Sequence, residues 1–152
     1  MPDPITFDTI SPRYALPLLF TGQAQKEAFV NEAHALTDAL IHCAIEGTAA
    51  APPGSPVEGT NWLVGISPTA AWAGQTGKIA CRQAGNWLFV APKDGMRLLD
   101  KSNGQERRYS AGWLAPSVPT APSGGTTIDA EARTAISDLI TALRTAGVFP
   151  SS

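Results

Sequence analysis

The sequence has little charge and no long hydrophobic run. Only 16% of its 152 residues are Asp, Glu, Lys or Arg, a low share for a soluble monomer. No stretch approaches the roughly 20 apolar residues of a membrane-spanning helix, and the N-terminus lacks the basic start and apolar run of a secretory signal. We therefore expect a chain made in the cytoplasm, without membrane insertion, whose sparsely charged surface is partly covered by partners.

Clustered basic residues and cysteines are also scarce. The net charge is −2, and the one local basic pair, Arg107-Arg108, follows Glu106. Because nucleic-acid binding normally needs a basic face, no nucleic-acid partner is expected. Cys43 and Cys81 fall in apolar settings, which predicts two buried free thiols, with one disulfide as the alternative.

Motifs for metal, cofactor and catalytic chemistry are missing. The histidines, His34 and His42, are eight residues apart, which is too far along a helix for one metal ion. There is neither a Gly-x-Ser-x-Gly elbow nor a phosphate-binding loop. We expect no metal, no cofactor and no catalytic residue. A glycan-active enzyme is the less favoured alternative, and its acids would come from the β region: Glu58, Asp94, Asp100 and Glu106.

Prolines mark the first 21 residues. They disfavour a helix there, yet the segment is rich in large apolar side chains, which a free disordered tail normally lacks. Residues 1–21 are therefore predicted to be an extended docking arm. It would lie on its own domain, on a sister subunit or on another protein.

A helix is predicted over residues 22–47, with Thr21 as the N-cap and Gly47 at the end. Its apolar residues follow spacings of four, three, four and three, which is a heptad seam. A seam of this kind predicts an oligomer interface, although a single amphipathic helix packed on its own sheet gives a similar stripe. Its residues are Phe29, Ala33, Leu36, Leu40 and Cys43.

Residues 57–114 are predicted to form an antiparallel β domain, after a loop or stiff linker over residues 48–56. Strands are expected on both sides of a turn at residues 83–86 and of a second turn at residues 102–104. The second turn contains Asn103-Gly104, and Asn-Gly is the strongest short hairpin signal because both central residues of a type I′ turn need positive φ. The region would fold as a small antiparallel sheet or a partial barrel.

A second linker, rich in Pro, Gly, Ser and Thr, covers residues 115–127 and is expected to uncouple the C-terminal segment from the sheet. Residues 128–148 are predicted to be a short C-terminal helix that contributes to assembly, through Ile136, Leu139 and Leu143. The fold class is therefore α+β, with an N-terminal helix, a small sheet and a C-terminal helix.

All four tryptophans lie in the β region. Trp62 and Trp87 are expected in the core because they sit within apolar strands. Trp72 lies in a Pro- and Gly-rich loop and is expected to be exposed. An exposed Trp72, helped by Asn61 or Gln75, is a candidate site for binding a polysaccharide.

Several short segments carry a resemblance to a known family, and they run from about Leu16 to Trp113. They are Gln23-Ala24-Gln25-Lys26, Asn31-Glu32-Ala33, Ala71-Trp72-Ala73-Gly74, Gly77-Lys78-Ile79-Ala80 and Gly85-Asn86-Trp87. In this order the chain resembles the domain of unknown function 2793 family, known mainly from tailed phages and gene transfer agents. The resemblance implies a part of a virion fibre or spike and not an enzyme.

The resemblance, taken with the apolar arm and the helix seams, implies a structural virion component, namely a head spike, tail fibre or fibre-base protein that contributes to host attachment. It would be a homo-oligomer, with a trimer favoured and a pentamer as the alternative at a capsid vertex. Its partners would be capsid, tail or fibre proteins, and it would be made in the bacterial cytoplasm and released by lysis. The alternative is a carbohydrate-binding module that itself recognises host surface polysaccharide.

Overall fold

The computed structural model describes residues 10–14, 16, 18–19, 27–126 and 129–151. Within these residues the chain forms two α-helices and two open four-stranded sheets, so the predicted α+β class is confirmed. The elements are α1 (Glu27–Leu40), β1 (Ala44–Ile45), β2 (Thr48–Ala49), β3 (Asn61–Val64), a 3₁₀ helix (Ala70–Trp72), β4 (Ile79–Gln83), β5 (Asn86–Val90), β6 (Arg97–Asp100), β7 (Gln105–Tyr109), β8 (Trp113–Leu114) and α2 (Ala130–Thr145).

Helix α1 is shorter than predicted, because it ends at Leu40 and not at Gly47. The chain turns at His42, whose φ is 44°, and enters strand β1, which pairs in parallel with β6. This pairing buries Ile45 completely, so long-range sheet formation overrides the apolar periodicity that favoured a longer helix. The predicted cap at Thr21 and the helix start at residues 22–26 lie outside the described residues.

The two sheets are mixed and not purely antiparallel. The first has the order β1-β6-β7-β8 and the second β2-β3-β4-β5. Both predicted hairpins, β4–β5 and β6–β7, are confirmed, and the turn at Ala84-Gly85 has φ angles of 48° and 74°, as a type I′ turn requires. The parallel pairs β1–β6 and β2–β3 were not predicted, and neither sheet closes into a barrel.

The main core lies where α1 meets both sheets. Its buried members are Ala35, Ala39, Cys43, Ile45, Leu63, Ile79, Cys81, Leu88 and Leu98. Cys43 and Cys81 are free thiols, as predicted. Burial is the main cause that raises the pKa of Cys43 to about 11 and that of Cys81 to about 12. The tight packing of α1 depends on alanines, because their small side chains let the helix approach the sheet closely.

The described part of the N-terminal arm docks on its own domain. The buried carboxylate of Asp38 accepts hydrogen bonds from the Ser11 hydroxyl at 2.7 Å and the Tyr14 amide at 2.6 Å. Further along, the Asn31 side chain exchanges two hydrogen bonds with the Leu19 backbone, at 2.8 and 2.9 Å. Of the three alternatives for the predicted arm, these contacts favour docking on its own domain, and residues 1–9, 15, 17, 20 and 21 lie outside the described ones.

The C-terminal helix forms as predicted, with the Asp129 carboxylate capping the Ala132 amide at 2.8 Å. The predicted uncoupling from the sheet is wrong at its far end. The Gly147 carbonyl accepts from the Glu106 amide of β7 at 2.7 Å, and the Ser151 amide donates to the Asn103 carbonyl at 2.8 Å. The tail after α2 therefore anchors this helix to the β6–β7 hairpin. Within the described residues, neither helix is long and apolar enough to cross a membrane.

Candidate assembly surfaces

Helix α2 carries an apolar stripe that its own chain leaves open. Leu139 is 59% exposed and Ile136 41% exposed, while Ile140 and Leu143 are half-buried. No residue of this helix is buried. A helix of this length is marginal in water without tertiary packing, so the α2 stripe, defined by these four residues, is the first candidate assembly surface.

Helix α1 presents two different faces. The face buried in its own chain consists of Asn31, Ala35, Asp38 and Ala39. At about 3.6 residues per turn, the predicted seam lies on roughly the opposite side of the helix. Its first two residues are open to solvent, and Phe29 is 79% exposed.

The second half of the predicted seam belongs to the fold of the single chain. Leu36 and Leu40 are half-buried and pack against the main core. Cys43 lies beyond the end of α1 and is buried, so its assignment to an oligomer interface was wrong. The open part of the α1 seam is therefore Phe29 with Ala33, which is the second candidate assembly surface.

The predicted exposure of Trp72 is wrong, because this side chain is completely buried. The 3₁₀ helix that ends at Trp72 folds the loop back onto the outer face of the second sheet. There the Trp72 ring lies 5.0 Å from that of Trp87, edge to face, and 6.4 Å from that of Trp62. These three rings form a second, smaller core around Val64.

The other two candidate glycan ligands do not join Trp72 on an open surface. Asn61 is buried, and its side-chain amide donates to the carbonyls of Ala39 at 3.1 Å and Ala44 at 3.3 Å. It thereby satisfies backbone acceptors between α1 and β1. Gln75 is half-buried and accepts a hydrogen bond from the Lys78 ammonium at 2.8 Å. Trp72, Asn61 and Gln75 therefore do not form an open stacking surface.

The remaining tryptophans also have structural contacts. The Arg82 guanidinium lies 5.3 Å from the centre of the Trp87 ring, and Arg82 pairs with Glu58 at 3.3 Å. A sugar ring cannot stack on the Trp87 face that Arg82 covers. Trp113 donates from its indole nitrogen to the Gly77 carbonyl at 3.0 Å, a contact that links the first sheet to the loop before β4.

The acids considered for glycan hydrolysis each have a structural partner. Asp100 is buried and accepts from the Arg107 guanidinium at 2.6 Å, and Glu106 pairs with Arg97 at 3.4 Å. Asp94 accepts from the Ala111 amide at 3.0 Å. In the part of the chain that the structure describes, no group of three or more His, Cys, Asp and Glu side chains could hold a metal ion.

One known protein family matches the part of the chain that forms most of α1 and both sheets. The family described as protein of unknown function (DUF2793) matches residues 30–114, which is more than half of the chain. The chain belongs to the DUF2793 family. The DUF2793 region includes most of α1 and both sheets and ends at β8, so α2 and its tail lie outside it. No curated protein sequence matches the chain.

Proposed function

We propose that the protein is a structural, non-enzymatic component of a phage or gene-transfer-agent particle. It would serve as a head spike, tail fibre or fibre base and contribute to host attachment. The observation that carries this proposal is the α2 stripe, an apolar helix face with no buried residue. A face of this kind needs a partner surface, and the resemblance of DUF2793 proteins to virion parts supports a partner within a particle.

The mechanism is assembly of identical copies. In α2, Ile136, Leu139 and Leu143 repeat with heptad spacing. Ala135 and Ala142 flank this stripe, and their small side chains let neighbouring helices approach closely. Around a symmetry axis, three such helices would bury the α2 stripe of each copy, and the open part of the α1 seam would provide a second contact surface. A trimer is favoured, and a pentamer fits a capsid vertex.

In the particle, this oligomer would sit between other proteins. Its partners would be capsid, tail or fibre proteins, and it would be released with the particle when the bacterial cell lyses. The sheets would remain outside the helical contact, because their buried cores are complete within one chain. Host attachment would then depend on geometry, since the oligomer holds a neighbouring recognition protein in place.

Light scattering on the purified full-length chain at micromolar concentration tests the oligomer. The wild-type chain should form a trimer, and Ile136→Asp combined with Leu139→Asp should convert it to a monomer. Thr134→Asp combined with Thr141→Asp adds the same charge to the opposite face of α2 and should leave the trimer intact. A stable wild-type monomer would contradict the proposed assembly.

Gold-labelled antibody in electron microscopy of purified particles tests the location. Label should appear at discrete positions on heads or tails. Particles that carry no label, prepared from lysates in which the protein is detected, would exclude a virion component.

A further inference from the structure

The outer face of the first sheet contains a groove that neither proposed assembly surface uses. The groove has a volume of about 370 Å³ and lies between strands β6, β7 and β8, the start of the second linker and the tail after α2. Its polar side is formed by Arg97, Glu106, Arg107 and Arg108, and its apolar wall by Leu114, Ala115, Pro116 and Val148. A volume of this size matches the lower end of ordinary ligand sites.

Two arginines stand directly opposite each other on the polar side. Arg97 of β6 and Arg108 of β7 are register partners in the antiparallel pair, so their Cβ atoms are about 5 Å apart on the same face. Like charges in such a position destabilise a sheet. An anion placed between the two guanidinium groups would reduce the repulsion between these two positive charges.

The neighbouring acids leave this positive charge incompletely balanced. Glu106 contacts Arg97 at 3.4 Å, with both side chains more than half exposed, so this pair is weak. Asp100 is bound to Arg107 at 2.6 Å and lies in the interior. Among the described residues, the Arg108 side chain has no hydrogen-bond or ion-pair partner, which leaves its donors available for a ligand.

The apolar wall is held in place by one buried side chain. Gln105, only 4% exposed, donates from its amide nitrogen to the Pro116 carbonyl at 2.5 Å and to the Val148 carbonyl at 2.9 Å. These two bonds fix the linker and the tail side by side. The wall is therefore preorganised, which reduces the entropic cost of binding.

We propose that this groove binds a carboxylate-bearing apolar peptide segment of a partner protein. The carboxylate would sit between Arg97 and Arg108, since guanidinium groups match carboxylates in geometry and charge. An aliphatic side chain next to it would pack on Leu114 and Val148. No aromatic ring is among the described residues that line the groove, which favours a peptide over a sugar, and the net charge of −2 disfavours a nucleic acid.

This inference rests on the proposed function only in naming the partner, which would be another protein of the same particle. Binding at the groove requires neither the α2 stripe nor a particular number of subunits. Failure of the trimer in light scattering and failure of peptide binding at the groove are therefore separate results.

Isothermal titration of the full-length chain at low salt provides the test. The probe is a six-residue peptide that alternates leucine and glutamate, compared with a second peptide in which glutamine replaces glutamate. The glutamate peptide should bind, and 0.5 M salt should weaken it strongly because the contact is electrostatic and near the surface. Arg108→Ala should weaken binding about tenfold, the loss expected for one charge-assisted contact.

Lys93→Ala is the matched control, since it removes an equal charge from an exposed side chain outside the groove lining. It should bind the glutamate peptide like the wild type, and circular dichroism should show both variants folded. Equal binding of the glutamate and glutamine peptides, or unchanged binding by a folded Arg108→Ala variant, would overturn the proposal. Arg108-dependent binding of polygalacturonate without binding of the peptide would also overturn it, in favour of an acidic glycan.

Discussion

Arg13 and Asp38 each bind the backbone of the other. The Asp38 carboxylate accepts from the Arg13 amide at 3.1 Å, while the Arg13 guanidinium donates to the Asp38 carbonyl at 2.6 Å. The same guanidinium reaches the Ala39 carbonyl at 2.8 Å. Arg13 thus satisfies carbonyls at the C-terminal end of α1 that have no partner within the helix. The same residue therefore both docks the arm and caps the end of the helix.

Replacing Asp38 should therefore destabilise the fold strongly. The Asp38→Ala variant leaves the buried Ser11 hydroxyl and the amides of Arg13 and Tyr14 without their acceptor. We expect a loss of about 2–4 kcal/mol in the free energy of unfolding, measured by urea denaturation. Asp138→Ala, on the exposed surface of α2, is the control and should change it by less than about 0.5 kcal/mol. Equal effects of the two substitutions would contradict the role of Asp38.

Trp72 should behave as a core residue in mutagenesis. Trp72→Ala should cost about 3–5 kcal/mol in the free energy of unfolding, as large core truncations do. Trp72→Phe should cost less, because it keeps an aromatic ring and removes a buried indole N–H that has no partner among the described residues. Thermal and urea unfolding of both variants provide the measurement. A fully stable Trp72→Ala variant would show that the tryptophan cluster is not a core.

The two buried thiols predict how stability changes in alkali. The ordinary thiol pKa is 9.0, and burial raises it to about 11 for Cys43 and about 12 for Cys81. As the pH rises, the thiols of the unfolded chain lose their protons at a lower pH than those of the folded chain. The thiol contribution to the free energy of unfolding is therefore fully present below pH 9 and is lost as the pH rises toward 11–12. The maximum slope is about 1.4 kcal/mol per pH unit for each thiol.

Urea unfolding between pH 8 and pH 11 checks this dependence. The wild type should lose more stability over this range than the double variant Cys43→Ala with Cys81→Ala, because the other titrating groups are common to both proteins. Identical pH dependence in the two proteins would show that the thiols do not contribute. In the folded wild type, both thiols should react slowly with a thiol reagent at pH 8, since little thiolate is present.

Phe149 should anchor α2 to the sheets. It is buried although it follows the helix near the end of the chain, next to a tail whose backbone bonds to the β6–β7 hairpin. Phe149→Ala should lower the free energy of unfolding by about 3 kcal/mol and increase amide hydrogen exchange at Glu106. Val148→Ala, at a 37% exposed neighbour, should have a much smaller effect. Unchanged exchange at Glu106 in Phe149→Ala would mean that the tail is held without this ring.

Local signals explain the parts of the fold that the sequence predicts well. The turn at Ala84-Gly85 needs positive φ at both residues, and glycine meets this need at low cost. Helix α2 begins after a capping Asp129 and ends before Gly147. These features depend on neighbouring residues, so the bounds of the hairpins and of α2 could be predicted closely.

The rest depends on contacts between distant segments. Strands β1 and β2 have two residues each, too few for a periodic pattern, and only their parallel partners define them. Trp72 lies in a loop whose Pro and Gly content predicted exposure, but the buried position arises because Trp62 and Trp87 offer a surface across the sheet. The groove at Arg97 and Arg108 was missed because its two arginines are 11 positions apart and meet only through strand register.

The short segment that contains β1 and β2 has a consequence for how the protein unfolds. Its first strand belongs to one sheet and its second to the other, with only Glu46 and Gly47 between them. The Ile45 carbonyl accepts from the Lys101 amide directly after β6 of the first sheet, and the Gly47 carbonyl accepts from the Leu63 amide of β3 in the second sheet. β1 is an edge strand of the first sheet and β2 an edge strand of the second. Because the two strands are covalently linked through two residues, the loss of one strand from its sheet should disturb the pairing of the other. We therefore expect both sheets to unfold in one cooperative transition. We expect β1 to pair later in folding than β2, because its partner β6 lies more than 50 residues away whereas the partner of β2 is about 15 residues away.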